Sequence, residues 1–234
     1  MKFGQITNNY KKYSQKCDYI QFDICGLNKE ESILKLKETL NKNPHISSII
    51  LHSDWTKKGF SENNFPTRIN DYIEIYKELS KYINVIAITL HPMFRSKITL
   101  ENFLSLVEKL ELHLPVYIEN RSNSKILVSN PDKIVSISQL KLMTIDIPQL
   151  LISCNYNYDL FLNTINRINW NNVKKVHLAN LKRDGNRTYV GRSLDDGIID
   201  INDFISLIKD KYITFEILGG EKVFEKNIDI IKSL

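Results

Sequence analysis

The sequence predicts an α/β protein built as a single (β/α)8 barrel, the TIM-barrel architecture. Eight short β-branched or aromatic runs recur along the chain, and segments with helical periodicity separate most of them. Several runs are apolar almost throughout, as in Val85–Leu90, which is typical of parallel strands buried on both faces. An open doubly wound sheet is the alternative, but no glycine-rich phosphate loop follows any run, which favours the barrel.

The predicted elements alternate along the whole chain. The strands are Lys2–Thr7, Tyr19–Ile24, Ser48–His52, Val85–Leu90, Val116–Glu119, Leu142–Asp146, Lys175–Leu178 and Ile213–Ile217. Helical periodicity covers Glu30–Leu40, Asp71–Tyr82, Leu100–Leu112, Asp159–Ile168, Ile201–Ile208 and Val223–Leu234. Thr99 and Asn202-Asp203 offer capping chemistry for two of these helices. The first crossover, Asn8–Asp18, is too short and polar to predict a helix.

Length and composition indicate one globular domain spanning residues 1–234. The 234 residues fall near the lower end for a barrel, and 42% hydrophobic with 25% charged residues is ordinary for a globular protein. No apolar run is long enough for a membrane span, and no signal-peptide pattern is visible, so we expect a cytoplasmic location without a membrane partner. Three cysteines without motif spacing argue against a disulfide scaffold or zinc knuckle. The net charge of +5 suits an anionic substrate without establishing nucleic-acid binding, and the oligomeric state stays open.

Ligand-type residues end six consecutive predicted strands, from the third to the eighth. They are His52, His91, Glu119, Asp146, His177 and Glu216. In barrel enzymes the chemistry lies at this end of the strands. One such residue is most often a surface or hydrogen-bonded group, but unpaired buried charges are costly, and three acids with three histidines on one rim need a cation. We therefore predict a site for a divalent metal, either Mn²⁺, Mg²⁺ or Zn²⁺.

The order and spacing of several motifs resemble a known superfamily. The motifs are Leu90-His91-Pro92, Ile118-Glu119-Asn120-Arg121, Asp146, Val176–Asn180, the turn Gly191–Asp200, and Phe215-Glu216. Together they are similar to the xylose-isomerase-like barrels, which include sugar isomerases, sugar epimerases and the family 2 AP endonucleases.

That resemblance implies roles for particular residues. Glu119, Asp146, His177 and Glu216 would hold the shared metal, and Arg183 would bind the substrate. His52 and His91 match two histidines that bind a second zinc in the endonuclease branch. A third zinc site would need a histidine where Gln149 stands, so a three-zinc nuclease is disfavoured. The substrate histidine of the epimerases would also fall at Gln149, which counts against both branches and makes Gln149 a substrate-binding candidate.

Three further features are candidates for substrate binding. The segment after His177 carries Lys182, Arg183, Arg187 and Arg192, and it is either a solvated loop or a clamp for phosphate or carboxylate. We expect this loop to gate the pocket on one side, with Arg183 facing the metal. Arg121 would orient a ligand or the substrate. Trp55 would either stack on a sugar or base, or pack its own loop.

The leading functional prediction is a metal-dependent isomerase or epimerase of a sugar or sugar phosphate. Glu119 and Glu216 would remove and return a carbon-bound proton through an enediolate. The alternative is a phosphoesterase related to the AP endonucleases, with one or two metals and a nucleic-acid substrate. A dehydratase, an oxidase and a non-catalytic barrel also stay open, because the fold does not determine the function.

Overall fold

The computed structural model describes residues 1–6, 13–24, 26–53 and 65–234, and its central feature is a closed barrel of eight parallel strands. The barrel strands are β1 (Lys2–Ile6), β2 (Tyr19–Asp23), β3 (Ser48–Ser53), β4 (Asn84–Leu90), β5 (Val116–Glu119), β6 (Met143–Asp146), β7 (Val173–Leu178) and β10 (Tyr212–Phe215). β1 pairs in parallel with both β2 and β10, which closes the barrel. The predicted fold class and the eight predicted strands are confirmed.

The helices follow the strands and pack their apolar faces on the barrel. They are α1 (Lys29–Lys42), α2 (Phe65–Leu79), α3 (Leu100–Glu111), α4 (Pro131–Leu140), α5 (Ile147–Ser153), α6 (Tyr158–Arg167), α7 (Ile205–Ile208) and α8 (Glu221–Lys232). Asn28 and Glu31 form a capping box at the start of α1, and Thr99 caps α3 as the sequence predicts. None of these helices is long and apolar enough to cross a bilayer.

Three parts of the chain differ from the sequence prediction. The basic segment after β7 is an antiparallel hairpin of β8 (Asn180–Asp184) and β9 (Arg187–Arg192), where we predicted a loop. Gly185 makes its turn possible with φ +56°. The predicted helix Ile201–Ile208 divides into a 3₁₀ turn at Ile201–Asp203 and α7, while α4 and α5 have no predicted counterpart. Residues 13–18 of the first crossover contain no helix.

The barrel interior is arranged in layers, because inward-facing side chains recur at every second position of a strand. The lowest layer is apolar and aromatic, with Tyr19, Ile50, Ala87 and Tyr117 in one cluster. On β1 the inward position is Gly4, where any Cβ would overlap the Tyr19 ring. The next layer is polar and contains Gln21, Thr89, Thr144, Lys175 and Thr214. The top layer contains the ligand-type residues.

Candidate metal centre

Three carboxylates predicted as metal ligands lie around the fourth predicted ligand, His177, at the top of the barrel. Donor atoms of Asp146, His177 and Glu216 lie within 4.8 Å of one another, and so do those of His52, Glu119 and His177. His177 Nδ1 lies 3.1 Å from Glu216 Oε1, 3.3 Å from Glu119 Oε2 and 3.9 Å from Asp146 Oδ2. Donors that share a metal at about 2.1 Å are separated by about 3.0–3.4 Å, so these contacts are close to the spacing of a coordination shell. Neither ring nitrogen of His177 has a hydrogen-bond partner among the described residues.

The chemistry of this donor set fits a divalent cation. His177 is 1% exposed, and burial lowers its pKa, so the neutral ring that binds metals is favoured. Burial, with the charges of Glu216 and Glu119, raises the pKa of Asp146 well above its ordinary value. Three carboxylates around one buried imidazole are strained by mutual repulsion, and a divalent ion would relieve that strain. One nitrogen and three carboxylates suit zinc, manganese or magnesium.

Asp146 is fixed by two elements at once. Its side chain caps α5 by accepting a hydrogen bond from Gln149 N at 2.8 Å. Its backbone is clamped by the buried Asn120 side chain, which accepts from Asp146 N at 2.7 Å and donates to Asp146 O at 3.0 Å. Sequence reasoning missed Asn120, although its place directly after Glu119 put it on the same rim.

Both carboxylate oxygens of Glu119 lie close to nitrogen atoms of neighbouring side chains. Its Oε2 lies 3.3 Å from His52 Nε2, and its Oε1 lies 3.1 Å from His91 Nε2 and 3.2 Å from Arg121 Nη1. Burial alone would raise the pKa of Glu119, but its close contacts with the His91, His177 and His52 rings hold that pKa well below its ordinary value. Glu119 is therefore ionised and unsuited to release a proton at neutral pH.

His52 is paired with a carboxylate that the sequence did not reveal. Its Nδ1 lies 2.7 Å from Asp23 Oδ1, at the end of β2. Burial opposes protonation of His52, but hydrogen bonds to Asp23 and Glu119 outweigh it and raise the pKa of His52 to about 9. At neutral pH this ring is consequently an imidazolium, which has no free lone pair for a metal.

Arg121 places a guanidinium between two proposed ligands of a second metal. Its Nη1 lies 3.2 Å from Glu119 Oε1 and 3.3 Å from His91 Nε2. The guanidinium has no acceptor, so His91 Nε2 accepts in that contact. Arg121 therefore stands at the place where a second cation would meet His91 and Glu119.

A cavity of about 260 Å³ opens beside the cluster. It is bordered by Ile6, Asp146, Pro148, Gln149, His177, Ala179, Val190, Gly191, Glu216 and Leu218. The hairpin supplies one wall, and a hydrogen bond from Leu218 N to Gly191 O at 2.8 Å joins that wall to the chain after β10. Gln149 borders the cavity, and its Oε1 is held by Ser122 N at 3.1 Å and by the Ser122 hydroxyl.

The basic hairpin does not turn its charges toward this cavity. Arg183 is exposed, and its guanidinium stacks 4.6 Å from the centre of the Tyr156 ring, so the expectation that it faces the metal is wrong. Lys182 and Arg192 both pair with Asp196. We expected the hairpin to gate the cavity, and two of its residues, Val190 and Gly191, border that cavity. Trp55 lies outside the described residues, so its assignment stays a prediction.

One buried cation lies in the polar layer directly below the cluster. Lys175 is 0% exposed, and its Nζ donates to Gln21 Oε1 and, at 3.2 Å, to Thr89 Oγ1. Gln21 Nε2 in turn donates to Glu216 Oε1 at 3.2 Å. Burial lowers the pKa of Lys175 to about 8 against the opposing effect of the carboxylates above it. The sequence signal was available, since Lys175 precedes His177 by two residues on one strand face.

Comparison with known proteins identifies relatives by structure alone. No protein-family model and no curated protein matches the sequence. The fold is similar to that of solved TIM barrels, including proteins described as xylose isomerase-like. A protein of that description from Mycobacterium smegmatis, solved with magnesium, has a TM-score of 0.64 at 13% identity, over 94% of this chain and 84% of that one. The IolI protein with a zinc atom has a TM-score of 0.63 at 14% identity, over 100% and 98%. Endonuclease IV from Thermus thermophilus has a TM-score of 0.65 at 12% identity, over 100% and 98%.

Proposed function

We propose that this protein is a divalent-metal-dependent enzyme that isomerises or epimerises a small sugar. The observation that carries the proposal is the convergence of three carboxylates on the buried Nδ1 of His177, beside a cavity of about 260 Å³. Glu119, Asp146, His177 and Glu216 would hold one ion. Structural relatives described with zinc and with magnesium support a divalent metal without fixing which one.

Glu216 is the group best placed to move a proton. It borders the cavity, and about a third of its side chain is exposed, whereas Glu119 does not border it. A bound divalent ion would polarise a substrate carbonyl and hydroxyl and so make the adjacent carbon–hydrogen bond acidic. Glu216 would take that proton, and Gln21 would hold its carboxylate toward the reacting carbon. Glu119, with its low proton affinity, is retained as a ligand and not as the partner acid.

The walls of the cavity favour an uncharged substrate. Ile6, Pro148, Ala179, Val190 and Leu218 give it an apolar side, and no lysine or arginine within the described ranges borders it. Of the four hairpin cations, Lys182 and Arg192 pair with Asp196, Arg183 stacks on Tyr156, and none borders the cavity. A neutral sugar therefore fits better than its phosphate, which revises the anionic substrate that the net charge suggests.

One observation favours a second candidate, the metal-dependent phosphoesterase acting on nucleic acid. Both oxygens of Glu119 face histidines, Oε1 toward His91 and Oε2 toward His52 and His177, as a carboxylate between two metals would. Against it, the raised pKa of His52 favours its protonated ring while no metal is bound, and Arg121 Nη1 lies 3.3 Å from His91 Nε2. Lys182 and Arg192, paired with Asp196, also offer little to a phosphate backbone.

The test is incubation of the Mn²⁺-loaded protein with neutral ketoses and aldoses and their phosphates in deuterated water. We expect exchange of the carbon-bound proton for at least one neutral sugar, and its loss in Glu216→Gln. The same preparation is assayed on duplex DNA with an abasic site. Strand cleavage without exchange on any sugar would replace this proposal with the phosphoesterase.

A further inference from the structure

Among the described residues, the buried ammonium of Lys175 has no counter-ion in its own layer. The described side chains that it contacts are neutral, Gln21 through Oε1 and Thr89 through Oγ1. An unpaired buried charge is costly unless charges of opposite sign lie close by. Inward positions two residues apart on one strand are separated by about 6.6 Å, so the nearest such charges are the carboxylates of the top layer.

The top layer has the complementary excess. Glu119, Asp146 and Glu216 surround one neutral imidazole, and Asp23 lies at its edge, next to His52. Lys175 and the carboxylates thus lie in neighbouring layers with opposite charge. Hydrogen bonds from Lys175 to Gln21 and from Gln21 to Glu216 connect the two layers.

We propose that Lys175 is a resident counter-cation that holds the carboxylate cluster together in the metal-free protein and limits how tightly a divalent ion binds there. This inference rests on the proposed metal site. The Lys175 side chain is fixed in the fold, so its ammonium repels an arriving ion while it stabilises the vacant ligand set. Lys175 acts through Gln21 and through its charge, and it is a positioning residue that does not touch the substrate.

The proposal predicts opposite effects on stability and on metal affinity for Lys175→Met, which keeps the length of the side chain and removes its charge. The metal-free protein should unfold at a lower temperature, because the carboxylates lose their counter-ion. Binding of Mn²⁺ should nevertheless become tighter, by at least about fivefold for a charge removed about 7 Å from a divalent ion even at the dielectric constant of water. A residue needed only for packing would weaken both properties together.

The experiment measures Mn²⁺ affinity by isothermal titration and melting temperature with EDTA and with Mn²⁺. Thr89→Val is the matched control, since it removes a hydrogen bond of Lys175 without changing any charge. It should lower the melting temperature without a gain in affinity. Lys175→Arg, which keeps the charge, should return Mn²⁺ affinity toward that of the native protein.

Lys175→Met is purified with Mn²⁺ if its metal-free form does not fold, and the rate of metal loss to excess chelator then replaces the titration. Slower loss than from the native protein supports the proposal. Equal or faster loss, or equal or weaker affinity, overturns it. If the native protein itself binds no divalent ion, the metal site of the proposed function fails, and that outcome is distinguishable from a failure of the Lys175 proposal alone.

Discussion

Removing the guanidinium of Arg121 should convert a site for one metal into a site for two. Arg121 Nη1 lies 3.2 Å from Glu119 Oε1 and 3.3 Å from His91 Nε2, so it occupies the space between two ligands of the second ion. In Arg121→Ala that space opens, and His91 and Glu119 become available to a cation, with His52 able to join after losing its proton. We expect the native protein to bind one Mn²⁺ or Zn²⁺ and the variant to bind two.

The size of the effect follows from the charges involved. Two unit charges about 4 Å apart at an effective dielectric of about 20 interact by about 4 kcal/mol, so a divalent ion would be repelled by about 8 kcal/mol. The Arg121 side chain is 22% exposed, and halving the figure for solvent and salt leaves about 4 kcal/mol. That corresponds to about a thousandfold gain in affinity for the second ion.

Isothermal titration and elemental analysis after dialysis would measure the stoichiometry. Arg121→Lys keeps a cation and should stay at one ion. Adding His91→Ala to Arg121→Ala removes a ligand of the new site and should return the count to one. A native protein that already binds two ions, or an Arg121→Ala variant that still binds one, would refute this account of Arg121.

Three other predictions test separate parts of the site and the fold. Asp146→Asn keeps the cap of α5 but removes a ligand charge, so elemental analysis should show that the protein no longer retains metal. The metal-free variant should melt no lower than the native protein, because the raised pKa of Asp146 indicates that its charge is unfavourable there. His52 should titrate near pH 9 by NMR in the metal-free protein, Asp23→Asn should lower that pKa, and a titration near pH 6.5 would contradict the pairing. Because the pKa of His52 is higher in the folded protein than its unfolded value of about 6.5, the stabilisation from this ion pair is full below pH 6.5 and is lost as the pH rises through 9. Gly4→Ala should lower the free energy of unfolding by about 1–3 kcal/mol in denaturant titration, because its Cβ overlaps the Tyr19 ring, and an unchanged midpoint would contradict the layered packing.

The strands and the positions of the candidate ligands were predictable from sequence because both follow a simple rule. A strand buried on both faces leaves a continuous apolar run, as at Val85–Leu90, and the end of each run marks the rim of the barrel. His177 and Glu216 could therefore be predicted as rim residues from their positions at the ends of such runs. The hairpin was missed although Asp184-Gly185-Asn186 is a turn sequence, because its strands are short and strongly charged.

The residues that support the ligands were harder to find, because their importance depends on partners remote in sequence. Asp23 matters through His52, which lies 29 positions away, and Lys175 matters through Gln21, which lies 154 positions away. Arg183 was misplaced for a related reason. Its spacing from His177 fits a substrate ligand, but a hairpin strand turns the side chain outward onto Tyr156.

The proposed function requires that one divalent ion binds between Glu119, Asp146, His177 and Glu216. The most direct measurement is anomalous diffraction from a crystal soaked in Mn²⁺ after treatment with EDTA. We predict a single strong peak at about 2.0–2.3 Å from a donor atom of each of these four side chains. No peak, or a principal peak between His52 and His91, would contradict the claim.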